Sequence, residues 1–397
     1  MLDQVDRYIA KLVADRSAVP DRIGFAVQDD VLLTRGEQAL SLLAGEALRH
    51  GDFLGLLAAR PALPFADFLV RRAAPGEDRI VPLDTETRTF LHDIPFLRRA
   101  DADGDPAQSV ARLLADRKGI IVEGIGIIAS GAMTVEQAYI NYSSVFHATF
   151  IKYLQDILRE GFIFPEEAGA FRAFCEQWLR PLSADGLLFR TGPLLDPGEI
   201  LTEIAAVGRY TVERGMVDSF FGNISARTAN TIYISQTAAS LDTLAGCIDP
   251  VAIDNSSTAG ITASSELLAH RRIYEATDAQ VILHGHPRFS VLMSMICEEQ
   301  GCSVADCWKD CPRVRYLGDI PVVAGEIGAG GLAKSVPAVI GAFGKALVYG
   351  HGLFTIGHAD FAEAFRNMVD CENLCRAAYF RRMRERVGPE WPEADNC

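Results

Sequence analysis

The segment Val281-Ile282-Leu283-His284-Gly285-His286-Pro287 is a short apolar run that ends in two histidines separated by one residue. This pattern predicts a β-strand, and side chains two apart on a strand project from the same face. Both imidazoles can therefore reach one cation. A second apolar run, Ala346-Leu347-Val348-Tyr349, leads into Gly350-His351-Gly352, which places a third histidine at a strand end. Three neutral nitrogen ligands with an open coordination position are typical of catalytic zinc sites.

The segment Thr262-Ala263-Ser264-Ser265-Glu266 lies upstream of these strands and predicts a helix start. Serine hydroxyls and the backbone amides of a helix N-terminus form a natural anion site. An ordinary N-cap, with Glu266 placed favourably against the helix dipole, explains the same residues. On these residues alone the capping interpretation is favoured, and the anion site stays open.

Five segments, in this order, resemble the class II aldolase/adducin family over roughly residues 198–382. They are Gly222-Asn223-Ile224-Ser225, Ile234-Ser235-Gln236-Thr237, Ser264-Ser265-Glu266, His284-Gly285-His286 and Gly350-His351-Gly352-Leu353. The resemblance implies an α/β domain of three layers, α/β/α, with a mainly antiparallel central sheet. It implies metal ligands at His284, His286 and His351 and a general acid/base at Glu266. Phosphate-binding positions carried over from the family's sugar-phosphate aldolases are Gly222, Asn223, Thr237, Ser264 and Ser265.

The activity implied by the resemblance is that of a metal-dependent lyase of the aldolase type, acting on a small phosphorylated ketose or a related hydroxycarbonyl compound. A divalent ion, first Zn²⁺ and otherwise Mn²⁺, Fe²⁺ or Co²⁺, would stabilise an enediolate as a Lewis acid, and Glu266 would shuttle the proton. A sugar-phosphate 4-epimerase or a dehydratase using the same site is one alternative. A non-catalytic scaffold like the adducins is another, although a scaffold has no need of three histidines and this glutamate. The resemblance also implies a homo-oligomer, a dimer or a tetramer.

One residue departs from the family pattern. Many phosphate-binding members have glycine after the threonine of the second segment, whereas Ala238 follows Thr237 here. The added methyl group is expected to narrow the anion pocket or to alter its backbone.

Length and charge bound the remaining possibilities. A chain of 397 residues suggests two or three domains, and its net charge of −14 argues against nucleic acid as a partner. No run of 18 apolar residues predicts a membrane helix. The first residues lack the pattern of a signal peptide, so we expect a cytoplasmic protein. Nine cysteines without an export signal favour reduced thiols over disulfides.

Two segments in the first half of the chain resemble segments in the second half. The stretch from Gly124 to Gly131 parallels Gly350 to Gly357, and Phe90-Leu91-His92-Asp93-Ile94-Pro95 resembles Ile282 to Pro287. In this alignment His92 matches His284, while Ile94 and Ile125 replace His286 and His351, and isoleucine cannot bind a cation. The prediction is a degenerate aldolase-like domain without a metal site, or else an unrelated α/β domain, at residues 1–160.

Turn-forming residues then predict a linker at 161–195 and the catalytic domain at 196–385, followed by a tail at 386–397. Asp196 is expected to cap a helix whose first residue is Pro197.

Four cysteines, at positions 297, 302, 307 and 311, follow the His-x-His segment closely. Their spacing matches no established zinc or iron–sulfur signature. Zinc, an iron–sulfur cluster and redox disulfides remain alternatives, and free cysteines in a loop and helix are the favoured interpretation.

Overall fold

The computed structural model describes residues 1–61, 65–101, 104–217, 220–299, 301–325, 329–389 and 391. The chain divides into two compact units. The first comprises Met1–Leu83, Thr87–Arg180 and the described residues after Arg381. The second comprises Pro181–Arg381 and the short segment Asp84–Glu86.

The first half of the chain alternates strands and helices. Its elements are α1 (Leu2–Ala14), β1 (Ile23–Gln28), β2 (Leu32–Gly36), α2 (Gln38–Leu48), β3 (Gly55–Ala59), α3 (Phe65–Arg72), β4 (Arg79–Ile80), α4 (Thr85–Leu91), β5 (Ile94–Leu97), α5 (Pro106–Leu114), β6 (Gly119–Val122), β7 (Gly126–Gly131), α6 (Val135–Glu160) and α7 (Glu167–Trp178). The strands form a sheet in the order β2-β1-β3-β7-β6-β5-β4. Strands β3, β6 and β7 are buried along their whole length, which explains their nearly continuous apolar sequences.

The second half contains the remaining elements. They are α8 (Pro197–Glu213), β8 (Asn223–Arg227), β9 (Thr231–Ser235), β10 (Ile248–Ala252), α9 (Leu267–Ala276), β11 (Val281–Gly285), α10 (Arg288–Ser294), α11 (Cys307–Asp310), β12 (Arg315–Leu317), β13 (Ile320–Val323), α12 (Ala329–Ser335), α13 (Pro337–Phe343), β14 (Lys345–Val348), β15 (Gly352–Gly357) and α14 (Phe361–Val387). The sheet order is β10-β9-β8-β11-β15-β14-β13-β12, and among these strands only β13 and β14 pair in parallel. The predicted mainly antiparallel central sheet is therefore confirmed.

Helices cover this second sheet. On one face, α9, α12 and α13 pack against the strands, and Ile273, Leu332 and Ile340 share a core cluster with Ile282 and Phe354. Helix α10 contacts β14 and β15 and has no residue in that cluster. Alternate strand residues thus face different helices, as a three-layer arrangement requires.

Helix α8 begins as the sequence predicts. The Asp196 Oδ1 atom accepts a hydrogen bond from the Glu199 amide at 3.0 Å, and Pro197 is the first helical residue. Proline suits that position because its missing N–H would have no partner inside the helix.

The two sheets share one strand order. The strands β2-β1-β3-β7-β6-β5-β4 take the places of β9-β8-β11-β15-β14-β13-β12, and β10 extends the second sheet at one edge. The single parallel pair among the described strands of each sheet also falls at the same place, β5–β6 and β13–β14. Order and strand direction therefore agree throughout.

The strand register shows which residues replace the histidines in the first sheet. His284 lies opposite Asn223 and Phe354, and Ala58 lies opposite Gly24 and Ile128 in the matching strands. The same alignment puts Arg60 at the place of His286 and Ile125 at the place of His351. None of these three residues resembles a metal ligand.

The sequence alignment of His92 with His284, and of Ile94 with His286, is therefore wrong. His92 lies in the turn before β5 and Ile94 begins this strand, which corresponds to β13 rather than to β11. The true counterpart of Leu91-His92-Asp93-Ile94-Pro95 is Leu317-Gly318-Asp319-Ile320-Pro321. His92 and Gly318 even share a left-handed backbone, with φ of 65° and 62°.

Two predicted boundaries also differ from the structure. Residues 161–195 are not a plain linker, because they contain α7 and divide between the units after Arg180. The predicted tail at 386–397 begins inside α14, and Trp391 is buried against Phe162 and Phe171. Residues 390 and 392–397 lie outside the described part of the chain. Within that part, no helix has the length and apolarity that crossing a bilayer requires.

Candidate metal centre

Two neighbouring antiparallel strands bring the three histidines together. His284 lies on β11, His286 follows its end, and His351 immediately precedes β15. All three are buried, with 1–3% of each residue exposed. One ring nitrogen of each lies within 4.8 Å of the others, and the Nε2 atoms of His284 and His286 are 3.1 Å apart. This spacing lets one cation contact all three rings.

Gly352 makes room for two of these rings. A Cβ atom at this position would lie 2.5 Å from Cδ2 of His286 and 2.8 Å from Cε1 of His284. It would also lie 2.6 Å from the carbonyl oxygen of Gly285. Such distances are shorter than van der Waals contact, so any larger residue would displace the imidazoles.

Glu266 is the N-cap residue of α9, but its side chain makes no capping hydrogen bond. Its carboxylate instead turns to the histidines, with Oε1 3.2 Å from Nε2 of His351 and Oε2 3.4 Å from Nε2 of His284. Helix α2 occupies the same place in the first sheet and also has an N-cap glutamate, Glu37. There the carboxylate does cap the helix, accepting from the Leu40 amide at 2.7 Å. The contrast argues against a purely capping role for Glu266.

Two of the histidines, His284 and His351, have an acceptor group beside Nδ1, the ring nitrogen on the far side from the centre. Nδ1 of His284 donates to the Leu353 carbonyl oxygen at 3.1 Å, and Nδ1 of His351 lies 2.7 Å from Oε1 of Glu86. Each acceptor keeps a proton on Nδ1 and leaves Nε2 facing the centre. Metal-binding histidines show this arrangement almost without exception.

Charge around the centre is unbalanced without a cation. Burial lowers the pKa of His284 to about 3. Burial acts in the same direction on His351, but the carboxylates of Glu86 and Glu266 raise its pKa to about 10. Burial would raise the pKa of Glu86, yet His351 lowers it to about 2. Two partly buried carboxylates, those of Glu86 and Glu266, thus favour a positive charge beside them, which a protonated His351 or a divalent cation can supply.

A chain of buried hydrogen bonds supports Glu266 from the other side. Nδ2 of Asn223 donates to Oε2 of Glu266 at 2.8 Å, and Oδ1 of Asn223 accepts from Nε2 of His270. Ser225 then lies 2.7 Å from both Nδ1 of His270 and the hydroxyl of Tyr274. Burial lowers the pKa of His270 to about 4, which keeps the ring neutral. A neutral His270 makes every donor in the chain point toward the Glu266 carboxylate.

The predicted phosphate-binding residues occupy adjacent segments. The Thr237 amide donates to the Thr262 carbonyl at 3.1 Å, and the Thr237 hydroxyl donates to the Ala263 carbonyl at 3.0 Å. The Ser264 hydroxyl accepts from the Glu266 amide at 3.2 Å, whereas Ser265 is exposed. The structure thus brings Thr237 and the serine pair together.

Gly222 and Asn223 begin β8 beside His284. A Cβ on Gly222 would lie 2.9 Å from the His284 carbonyl oxygen, and its φ of 135° is accessible mainly to glycine. Both ends of the Asn223 amide are engaged, by Glu266 and His270. Asn223 would therefore have to share its donor with any phosphate.

Residues 202–379 match the model of the family described as Class II Aldolase and Adducin N-terminal domain. This segment of the chain is a class II aldolase/adducin domain. The L-fuculose phosphate aldolase of Methanococcus maripaludis is 26% identical over 180 residues, which are 45% of this chain and 96% of that protein.

Solved structures of similar proteins were also found. The L-fuculose-1-phosphate aldolase from Thermus thermophilus is 23% identical, with a TM-score of 0.41, and the match covers 48% of this chain and 98% of that one. A sugar-phosphate aldolase from Thermotoga maritima is 18% identical, with a TM-score of 0.38 over 48% and 98% of the two chains.

Glu86 was missed in the sequence analysis. It lies outside the class II aldolase/adducin domain, at the start of α4, and belongs to the same compact unit as the histidines. Its local sequence, Asp84-Thr85-Glu86, resembles any helix start. No periodicity relates it to His351, so local sequence carried no signal for this contact.

The cysteines downstream of β11 are free thiols. Cys297 and Cys302 are exposed, and Cys307 and Cys311 are partly buried. Among the residues that the structure describes, no three thiols lie close enough to share a metal ion.

Proposed function

We propose that this protein is a metal-dependent lyase of the aldolase type. The observation that carries the proposal is the convergence of three buried imidazoles, two of which face the Glu266 carboxylate, inside a class II aldolase/adducin domain. A scaffold protein gains no stability from such a cluster, because buried charges cost free energy.

The residues fit a divalent cation. Three imidazole nitrogens and a nearby carboxylate suit zinc, and the same donors accept manganese, iron or cobalt. The Nδ1 contacts of His284 and His351 orient their Nε2 atoms inward. When bound there, a divalent cation polarises a substrate carbonyl oxygen and stabilises the negative charge that develops as a neighbouring bond breaks.

Glu266 is the group proposed to move the proton. Its two oxygens lie beside His284 and His351, and Asn223 holds Oε2 by a hydrogen bond. The free lone pairs of the carboxylate can accept a proton from a substrate hydroxyl and return it to carbon. Burial excludes competing water from this exchange.

A small phosphorylated hydroxycarbonyl compound is the proposed substrate. The L-fuculose phosphate aldolase of Methanococcus maripaludis is named for a substrate of this class. In this chain Ser264 and Ser265 lie just before α9, where backbone amides favour an anion, and Thr237 is hydrogen-bonded to the neighbouring Ala263. Gly222 and Asn223 complete the proposed phosphate site.

The test uses the full chain, stripped with a chelator and reloaded with zinc, manganese or cobalt. Cleavage of a panel of ketose phosphates should require metal, and His284→Ala should abolish both metal binding and cleavage. Glu266→Gln should keep the metal but lower kcat by about 10²- to 10⁴-fold. The control is His358→Ala, because His358 is an exposed histidine paired with Glu363. Full activity without metal would exclude the proposal, and product analysis separates cleavage from epimerisation or loss of water.

We further propose that the first sheet belongs to a degenerate copy of the same fold. Identical strand order, the matching parallel pair and the shared register support this. With Ala58, Arg60 and Ile125 at the ligand positions, this copy should bind no divalent cation of its own. A His284→Ala variant that still held one tight zinc per chain would contradict it.

A further inference from the structure

Glu86 contacts the candidate metal centre from outside the class II aldolase/adducin domain. We propose that Glu86 is a positioning residue, which holds the His351 imidazole in the orientation needed to bind the metal. The inference rests on the proposed function, because it assigns a role within that same site. It concerns a residue more than a hundred positions upstream of the matched family domain, 202–379.

The segment that carries Glu86 is fixed to the residue before His351. The amide and the hydroxyl of Thr85 both donate to the carbonyl oxygen of Gly350, at 2.7 and 2.9 Å. The amide of Gly350 donates to the Ser294 hydroxyl at 2.8 Å. The backbone on which His351 stands is therefore held from both sides, and Glu86 follows directly after Thr85.

The contact itself has the geometry of a strong hydrogen bond. Oε1 of Glu86 lies 2.7 Å from Nδ1 of His351, and the Glu86 side chain is 19% exposed. Hydrogen bonds to a carboxylate are shorter and stronger than those to neutral acceptors. The shielded position preserves much of that strength, because little water competes for the carboxylate.

His284 and His351 have different partners at Nδ1. His284 donates Nδ1 to a backbone carbonyl, that of Leu353, whereas His351 faces a charged group. A carboxylate attracts the Nδ1 proton more strongly than a carbonyl group does. Nε2 thereby becomes a better electron-pair donor to a cation. The carboxylate also adds one negative charge to a site otherwise built from three imidazole rings and Glu266. Partners of this kind typically contribute 10- to 100-fold in metal affinity.

Glu86 lies far outside the catalytic domain that the sequence predicts. A domain that began at residue 196 would contain His284, His286, His351 and Glu266 but not this carboxylate. The Asp84–Glu86 segment belongs to the same compact unit as the histidines despite its distance in sequence. The centre of this chain is therefore incomplete without residues from its first half.

The experiment measures cobalt and zinc affinity of the full chain by competition with a chromophoric chelator. Glu86→Gln keeps the size and an acceptor but removes the charge, and Glu86→Ala removes both. We expect affinity to fall about 10-fold for Glu86→Gln and by up to about 100-fold for Glu86→Ala. The visible absorption of bound cobalt should shift in both, because the His351 ring is no longer held.

The matched control is Glu363→Gln. Glu363 also accepts from a histidine Nδ1, that of His358 at 2.9 Å, but its partner is exposed and lies outside the histidine triad. This variant should leave affinity and spectrum unchanged. Glu86→Gln is nearly isosteric, so it keeps the test valid if Glu86→Ala folds poorly.

The outcomes separate the two proposals. If the parent chain binds metal through His284 and Glu86→Gln and Glu86→Ala both bind it equally well with the same cobalt spectrum, the role of Glu86 is refuted and the proposed function stands. If the parent chain binds no metal, both are refuted. Weakened affinity with an altered spectrum, confined to the Glu86 variants, supports the positioning role.

Discussion

The Nδ2 atom of Asn223 donates to Oε2 of Glu266 at 2.8 Å, while Oδ1 of the same amide accepts from His270. An amide held at both ends cannot rotate, so it fixes the carboxylate relative to the histidines. Asn223 is buried, with 5% exposed. Its contacts connect the proposed general base to a neutral hydrogen-bond chain inside the domain.

Asn223→Ala should therefore lower kcat by about 10- to 100-fold without removing the metal. The reason is that Glu266 loses the donor that orients Oε2. Steady-state kinetics with a ketose phosphate and elemental analysis measure the two effects. Asn230→Ala, at an exposed position in the same hairpin, is the control. A rise in KM with unchanged kcat would instead assign Asn223 to phosphate binding.

Gly352→Ala should abolish tight metal binding. The new methyl group would overlap His286 and His284, so the rings must move apart and lose their common centre. We expect at least about 100-fold weaker zinc affinity, measured by chelator competition. Gly169→Ala is the comparison, because a Cβ there meets no atom within 4 Å. Unchanged zinc affinity in Gly352→Ala would mean that the histidines do not bind the metal as proposed.

Stability of the metal-free protein should fall as the pH drops from about 6.5 toward 4, partly through His270. Burial lowers the folded-state pKa of His270 from 6.5 to about 4. The unfolded chain therefore takes up a proton in this window and the folded chain does not, so acid favours unfolding. His270→Gln should reduce the slope by up to about 1.4 kcal/mol per pH unit in urea unfolding. An equal slope in the parent protein and in His270→Gln would contradict the assignment.

Ala238→Gly should raise the free energy of unfolding by about 1 kcal/mol. Ala238 has a φ of 59°, a left-handed conformation that is strained for alanine and free for glycine. Ala238 therefore keeps a left-handed backbone, which is a conformation that glycine adopts without strain. Ala239→Gly should have the opposite sign, because its φ is not positive and glycine gains entropy in the unfolded chain. Chemical denaturation of both variants measures the difference, and a loss of stability in Ala238→Gly would exclude strain at this position.

Much of the second sheet was predictable from local sequence. The alternation of side chains along a strand predicts that His284 and His286 project from the same face. The Asp196-Pro197 pair predicts the start of α8. These features depend on neighbours along the chain. Their physical causes, strand periodicity and helix capping, act over a few residues.

The parts that sequence reasoning missed depend on distant contacts. The partnership of Glu86 with His351 joins residues from opposite halves of the chain, and no periodic pattern encodes it. The matching of His92 to His284 followed a similar string of letters, whereas strand pairing assigns His92 to the turn before β5. Register can be compared only once the strands are paired.

Ala58 stands in the first sheet at the place that His284 occupies in the second, which affects the substitutions that each position can tolerate. Under the proposed function, substitutions around Ala58 are limited by folding alone, whereas those around His284 are limited by folding and by metal binding together. A saturation mutagenesis screen for growth should then tolerate polar and bulky substitutions unequally at these two equivalent positions. One molecule thus contains both the proposed metal centre and an equivalent place in the other sheet that lacks its histidines.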